Sequence, residues 1–418
     1  MTIKRQYDVF LSHSSEDKAF TDKLNDLLVM AGLNSWYDEN SLLANSHLNY
    51  DIPESIKKCA ALMVVLSGNS CSSEWVANEY STAKEEGLKI IPLVIDDCRL
   101  PGFFNNYKWI DCRKGITPYA FFMILSALYG SSENLQDEKD IYVSYPWRSC
   151  EQNIVEVIFH RLRRKQYRLI GDAADQENYD DNDRIRRIMN TCGGFVGILP
   201  YRGESNTSRY ILDEVKKAER YGLPGLLIAD VRINGLEQLS GYPIFKYEDV
   251  DGIDEEKLKD FINRLDIVRP KTPHVFYATN LDKDRKMINA YIRNLSGYVT
   301  ATKCVCGEDV NSGNLQQQII DRIRNAYVMI ADITGKAQVI SSENEKGDFG
   351  VECLYRFNTC VEAGIARGAG TDLYVVCKTP RRSPPFMFRD INVRFYEDDC
   401  ELLAIVHKIL RPYRRCVV

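Results

Sequence analysis

A chain of 418 residues is too long for one hydrophobic core and predicts two to four domains. With 44% hydrophobic and 27% charged residues it has an ordinary globular makeup, which excludes bulk disorder. The net charge of −5 argues against a nucleic-acid backbone as the main partner, and a basic cluster such as Arg161–Arg164 with Lys165 reads as a solvated helix face.

The polar start, Met1–Arg5, leads straight into a strand-like run, so no secretory leader is expected. The 13 cysteines follow no regular spacing, which favours free thiols in a reducing cytoplasm over a disulfide framework. Cys304 and Cys306 form a CxC with no second pair at zinc-finger spacing, so no metal site is expected. Ala61–Leu66 and Tyr119–Tyr129 are apolar but too short to span a bilayer. A cytoplasmic protein with neither a membrane nor a nucleic-acid partner is the expectation.

Along the chain one pattern recurs three times. Strand-like runs open it at Tyr7–Ser12, Asp140–Ser144 and His274–Thr279. An amphipathic stretch and a second short strand follow. Then come helices that feed apolar strands: IPESIKKCAALMVVLS from Ile52, DRIRRIMNTCGGFVGIL from Asp183 and QQQIIDRIRNAYVMIAD from Gln316. Apolar residues recur at three and four in the helical parts, while the runs after them are continuous and β-branched. That combination predicts helices packed on parallel strands buried on both faces.

A third landmark sharpens the repeat. A glutamate stands eight residues before a glycine at Glu79–Gly87, Glu214–Gly222 and Glu362–Gly370. Each glycine sits where a helix end needs positive φ, ahead of the strands beginning at Lys89, Gly225 and Leu373. The polar stretch Gly130–Lys139 and the proline-bearing Val268–Pro273 read as linkers. The prediction is an α/β protein of three tandem doubly wound, mostly parallel-sheet domains of flavodoxin-like topology, spanning 1–132, 138–268 and 273–418. Ligands in such sheets bind beyond the carboxyl ends of the strands, so the residues after Ser12, Ser144 and Thr279 and those near the three glutamates are the candidates.

In the first segment, Asp8–Lys18 (DVFLSHSSEDK) resembles the opening box of Toll/interleukin-1 receptor (TIR) domains. Asn34–Glu39 is similar to their second strand, Ser72–Glu79 (SSEWVANE) to their SxxWxxxE helix, and Arg99–Asp111 to the later loop and strand. Members of this family with a glutamate at this place include NAD hydrolases and cyclases, while others are adaptors that only assemble. The resemblance implies Glu79 as the catalytic carboxylate and Trp75 as the substrate-stacking neighbour, with Ser12, His13 and Trp36 bordering the same cleft. His13 either contacts substrate or caps the next helix, and Trp36 is either a ligand contact or strand core. Trp75 and Glu79, four apart, project from one helix face. An aromatic plane beside a carboxylate suits a base and an oxocarbenium-like ribose. Asn40–Asp51, which lacks the glycine common in the family, is expected to contribute to self-assembly.

In the second segment, Ser208 to Glu214 repeats the spacing of Ser73 to Glu79, with Tyr210 in place of Trp75. The first strand there runs into Tyr145-Pro146-Trp147, so a structural module resembling a TIR domain is expected, with Glu214 on a helix face as an ion-pair partner. In the third, Ile330–Thr334 (IADIT) and Asn358-x-x-x-Glu362-x-Gly364 resemble nucleoside 2-deoxyribosyltransferases and their nucleotide-binding relatives. That resemblance implies Asp332, Asn358 and Glu362 as ligand-binding residues, although Val361 stands where the family commonly has tyrosine. The function expected is an NAD glycohydrolase or ADP-ribosyl cyclase of TIR class. It would consume NAD as substrate with no cofactor, work as a homo-oligomer in antiphage immunity, and respond to assembly or a nucleotide signal. The alternatives are a non-enzymatic TIR scaffold or a nucleoside-processing enzyme acting through the last segment.

Overall fold

The computed structural model describes residues 6–37, 48–129, 139–171, 181–203, 206–267, 274–309, 314–335, 337–340, 350–353, 356–379, 388 and 392–417. Both expected linkers, apart from Lys139, and residues 40–47 of the expected assembly loop lie outside this set. The chain divides into two compact units. One comprises residues 1–132, 275–299 and 303–411; the other comprises 133–274, 300–302 and 412–418.

The first unit holds the sheets of the first and third repeats. The first sheet is built from β1 (Tyr7–Ser12), β2 (Ser35–Trp36), β3 (Cys59–Leu66), β4 (Lys89–Val94) and β5 (Ile110–Asp111). Their spatial order is β2-β1-β3-β4-β5, and all four neighbouring pairs run parallel. Helices Lys18–Met30, Leu48–Lys57, Glu74–Glu85 and Pro118–Ala127 connect and follow these strands. The interior of β3 is fully buried from Leu62 to Leu66, as a strand covered by helices on both faces must be.

The second unit contains β6 (Lys139–Ser144), β7 (Tyr167–Gly171), β8 (Gly194–Leu199), β9 (Gly225–Asp230) and β10 (Ile244–Tyr247). Read from β7, their order is again second, first, third, fourth, fifth, and these neighbours run parallel. The third sheet repeats the order once more. Its strands are β11 (His274–Ala278), β12 (Lys303–Val305), β13 (Val328–Asp332), β16 (Asp372–Lys378) and β17 (Arg394–Tyr396), arranged β12-β11-β13-β16-β17. Between β13 and β16, the short strands β14 (Ala337–Ile340) and β15 (Gly350–Cys353) form an antiparallel ribbon. The α/β expectation and its doubly wound strand order therefore hold for three sheets.

One element departs from the sequence reading. The strand β18 (Cys416–Val417), expected within a 273–418 segment, pairs antiparallel with β7 in the second sheet. An outer strand offers unpaired amides and carbonyls, and an added strand satisfies them. Buried Arg415, just before β18, holds it there: its guanidinium bonds Asp140, which also receives Arg168 at 2.7 Å, and it donates to Thr191 at 2.9 Å.

The three glycines of the repeat behave as predicted. Gly87, Gly222 and Gly370 have φ of +66°, +70° and +73° and stand at the ends of helices Glu74–Glu85, Arg209–Arg220 and Phe357–Ala369. A side chain there would strain the left-handed backbone, whatever space surrounds it.

Candidate functional site

In a sheet ordered β2-β1-β3-β4-β5, the crossovers leave β1 and β3 in opposite directions, which opens a crevice beyond their carboxyl ends. Ser12 ends β1 and pairs in register with Val64, so the segments after Ser12 and after Leu66 meet at that crevice. The Ser12 side chain is buried, and its hydroxyl has no hydrogen-bond partner among the described residues. His13 is half-buried; its Nδ1 lies 3.4 Å from the Leu11 carbonyl and its ring 5.3 Å from that of Tyr37. Capping of the next helix is not its role here, because helix Lys18–Met30 has Asp17 at its N-cap and no side-chain cap bond.

The loop after β3 is built on hydroxyls and a buried carboxylate. Asp17 accepts a hydrogen bond from Ser67 Oγ at 2.6 Å. Ser67 Oγ in turn accepts from the amide of Ser70 at 3.1 Å, and Ser70 Oγ accepts from the amide of Ser67 at 2.7 Å. Asp96, after β4, takes the Gly68 amide at 2.9 Å. Asp17 was not among the residues singled out from the sequence; its only signal there was an acidic residue within the opening box.

This loop delivers the helix Glu74–Glu85, whose N-cap, Ser73, accepts a hydrogen bond from the Val76 amide. Val76, Tyr80 and Ala83 form its buried stripe, and Tyr80 packs on Phe103 and Phe104 with ring centroids 4.5 and 5.0 Å apart. Trp75 and Glu79 each precede a stripe residue by one position, about 100° around the helix, so burial of the stripe turns both away from the core. Trp75 is 47% exposed and Glu79 half-buried. A large exposed aromatic one turn from a carboxylate, on a helix fixed from its other side, is a surface on which a planar ring can stack with its sugar near the carboxylate.

Trp36 is different. It is 3% exposed and stacked on Phe10, with centroids 4.5 Å apart and planes 9° from parallel, inside the core of the first sheet. The implied substrate contact is therefore corrected to a core position: β2 turns that ring inward, where its apolar area is best buried.

The repeated glutamate of the second sheet is also not where the sequence put it. Glu214 is 1% exposed and accepts hydrogen bonds from Tyr142 and Ser144, both at 2.5 Å. The expected surface ion-pair role is replaced by a buried carboxylate anchored to β6.

In the third sheet, Asp332 is buried at the end of β13. It receives Arg285 Nη2 at 2.6 Å, the Tyr396 hydroxyl at 2.9 Å and both the amide and hydroxyl of Thr334. Asn358 is exposed on the first turn of helix Phe357–Ala369. Glu362 is half-buried one turn later, and burial pushes its carboxyl up to about 7. Arg285 and Tyr396, the main partners of Asp332, lie 111 residues apart and carry no local sequence signal. Among the described residues, no group of three or more His, Cys, Asp or Glu side chains could hold a metal ion, and no helix is long and apolar enough to cross a membrane.

Residues 9–125 match the family model described as TIR domain. Over 99 residues the chain is 34% identical to the probable 2′ cyclic ADP-D-ribose synthase TcpO of Methanobrevibacter olleyae, covering 22% of this chain and 28% of that protein. It is 39% identical over 95 residues to the NAD(+) hydrolase TcpA of Theionarchaea archaeon, covering 22% and 29%. Over 75 residues it is 36% identical to the 2′ cyclic ADP-D-ribose synthase AbTIR of Acinetobacter baumannii, covering 18% and 28%. The chain thus spans less than a third of the length of these curated relatives. The family match, the helix bearing Trp75 and Glu79 and the strand order agree: the N-terminal part of this chain carries a TIR domain.

Proposed function

We propose that the TIR domain breaks the nicotinamide–ribose bond of NAD, with Glu79 as catalytic carboxylate and Trp75 as stacking surface, bordered by Ser12 and His13. The observation that carries this reading is the pairing of an exposed Trp75 with Glu79 on one turn of a helix anchored by Val76 and Tyr80. The NAD hydrolases and cyclic ADP-ribose synthases among the relatives support it.

Nicotinamide departs as a neutral molecule, so no general acid is needed. The remaining demand is stabilisation of positive charge on the ribose, which a fixed carboxylate meets electrostatically. Capture of the ribose carbon by water gives hydrolysis; capture by an oxygen or nitrogen of the same molecule gives cyclisation. The three sheets are read as tandem doubly wound modules, of which the second is structural, since Glu214 is enclosed by Tyr142 and Ser144.

The third module binds a nucleotide or nucleoside-derived signal through Asn358 and Glu362, with Asp332 acting through Arg285 and Tyr396. Activity requires assembly into a homo-oligomer in the cytoplasm, and the biological role is an antiphage effector or signal producer. The deciding experiment is incubation of the full chain with NAD and measurement of free nicotinamide. No release under assembling conditions removes the enzymatic reading and leaves a TIR scaffold. Calorimetry of the full chain against a nucleotide panel tests the third module: binding lost in Asn358→Ala supports it, and no heat for any nucleotide overturns it.

A further inference from the structure

Two cysteines flank the helix that carries Trp75 and Glu79 in a way nothing above requires. Cys71 lies in the single helical turn Ser70–Ser72, two residues before the Ser73 cap. Cys98 lies in the loop after β4. Their sulfurs are 3.7 Å apart, and both side chains are half-buried, so neither is sealed from solvent. The two segments are already held together, because the Gly68 amide donates to Asp96 at 2.9 Å. A disulfide needs the sulfurs to close from 3.7 Å to about 2.0 Å between two segments already tied to each other.

We infer that Cys71 and Cys98 form a reversible disulfide that pins the start of the Trp75–Glu79 helix to the loop after β4. The oxidant class is a small-molecule disulfide. A Cys71 thiolate attacks one of its sulfurs, giving a mixed disulfide and releasing one small thiolate. Cys98 then loses its proton to solvent and attacks the Cys71 sulfur, forming the protein disulfide and releasing the second thiolate. Two protein thiols are oxidised by two electrons and one small disulfide is reduced to two thiols.

The order of attack follows from the surroundings. Burial raises both thiols, and Cys98 is pushed up to about 12, first by burial and then by the neighbouring Asp96 carboxylate. Cys71 Sγ–H donates toward Cys98 Sγ at 3.7 Å, so the two sulfurs already face each other. Neither thiol is a strong nucleophile alone, so proximity is what selects this pair.

The test uses the full chain with oxidised glutathione, at a concentration sufficient to convert the exposed Cys150, followed by alkylation, non-reducing digestion and mass spectrometry. The expected product is a Cys71–Cys98 linked peptide pair that disappears on reduction. In Cys98→Ser, Cys71 should accumulate as the glutathione mixed disulfide. Thermal unfolding of the oxidised wild type should shift to higher temperature, and that of Cys98→Ser should not. The inference is overturned if Cys150 reacts while Cys71 and Cys98 remain free, persist as separate mixed disulfides or join other cysteines. These readouts are independent of NAD cleavage.

Discussion

The Tyr142 hydroxyl donates to the Glu214 carboxylate at 2.5 Å, in the module whose repeat places Glu214 where the first module has Glu79. Ser144, the counterpart of Ser12, serves the other carboxylate oxygen at 2.5 Å. The Ser12 hydroxyl has no such partner among the described residues, and Glu79 remains half-buried beside an exposed Trp75. The repeated glutamate is thus half-buried in the first sheet's helix and enclosed in the core beside the second sheet.

Glu79→Gln keeps the side-chain shape and removes its charge. Nicotinamide release should fall by about 10²–10³ or more, with an unchanged circular dichroism spectrum. Glu214→Gln should leave that rate as it is but lower the unfolding midpoint. Replacing one oxygen acceptor by an amide mismatches a buried hydroxyl donor, a cost of about 1–3 kcal/mol. Wild-type release in a folded Glu79→Gln variant, or loss of release in Glu214→Gln at a temperature where it is folded, would reverse the assignment.

The two tryptophans separate in the same way. Trp36→Ala should destabilise the first unit by about 3–5 kcal/mol in denaturant titrations, because it empties a buried stacked position. Trp75→Ala should change stability by no more than about 0.5 kcal/mol and raise the NAD concentration needed for half-maximal release about tenfold, the worth of a lost base-stacking surface. Equal stability losses for both would place Trp75 in the core as well.

Glu362 makes stability depend on pH. Burial holds its folded-state carboxyl at about 7, above the value of 4.5 expected for the unfolded chain. Below 4.5 both states keep the proton and no penalty exists. Between 4.5 and 7 the unfolded chain releases it first, so stability falls as pH rises, and above 7 the loss is complete. Glu362→Gln should therefore raise the denaturation midpoint at pH 8 and leave it nearly unchanged at pH 4. A gain of the same size at both pH values would show that ionisation is not its source.

Assembly predicts a concentration signature. Nicotinamide release per milligram should rise with protein concentration over the range in which light scattering shows multimers, and approach zero on dilution. Constant specific activity in a species that stays monomeric throughout would show that each chain carries a complete site.

Local chemistry made the architecture readable. Alternating helical periodicity and continuous apolar strands predicted the parallel sheets, because burial on both faces demands such runs. The Glu-x₇-Gly spacing located three helix ends, because only glycine adopts φ near +70° without strain. The TIR motifs placed Trp75 and Glu79 on one helix face, since four-residue spacing alone brings them together. Which tryptophan stays exposed and which fills the core is left open by the sequence: Trp36 lies on a strand and Trp75 on a helix, and what other elements press against each decides its burial. The enclosure of Glu214 by Tyr142 and Ser144, the grip of Arg285 and Tyr396 on Asp332 and the meeting of Cys71 with Cys98 join residues 27 to 72 positions apart. The pairing of β18 with β7 bridges a longer separation still. Such contacts exist only once the sheets have formed, so the tertiary structure alone decided them.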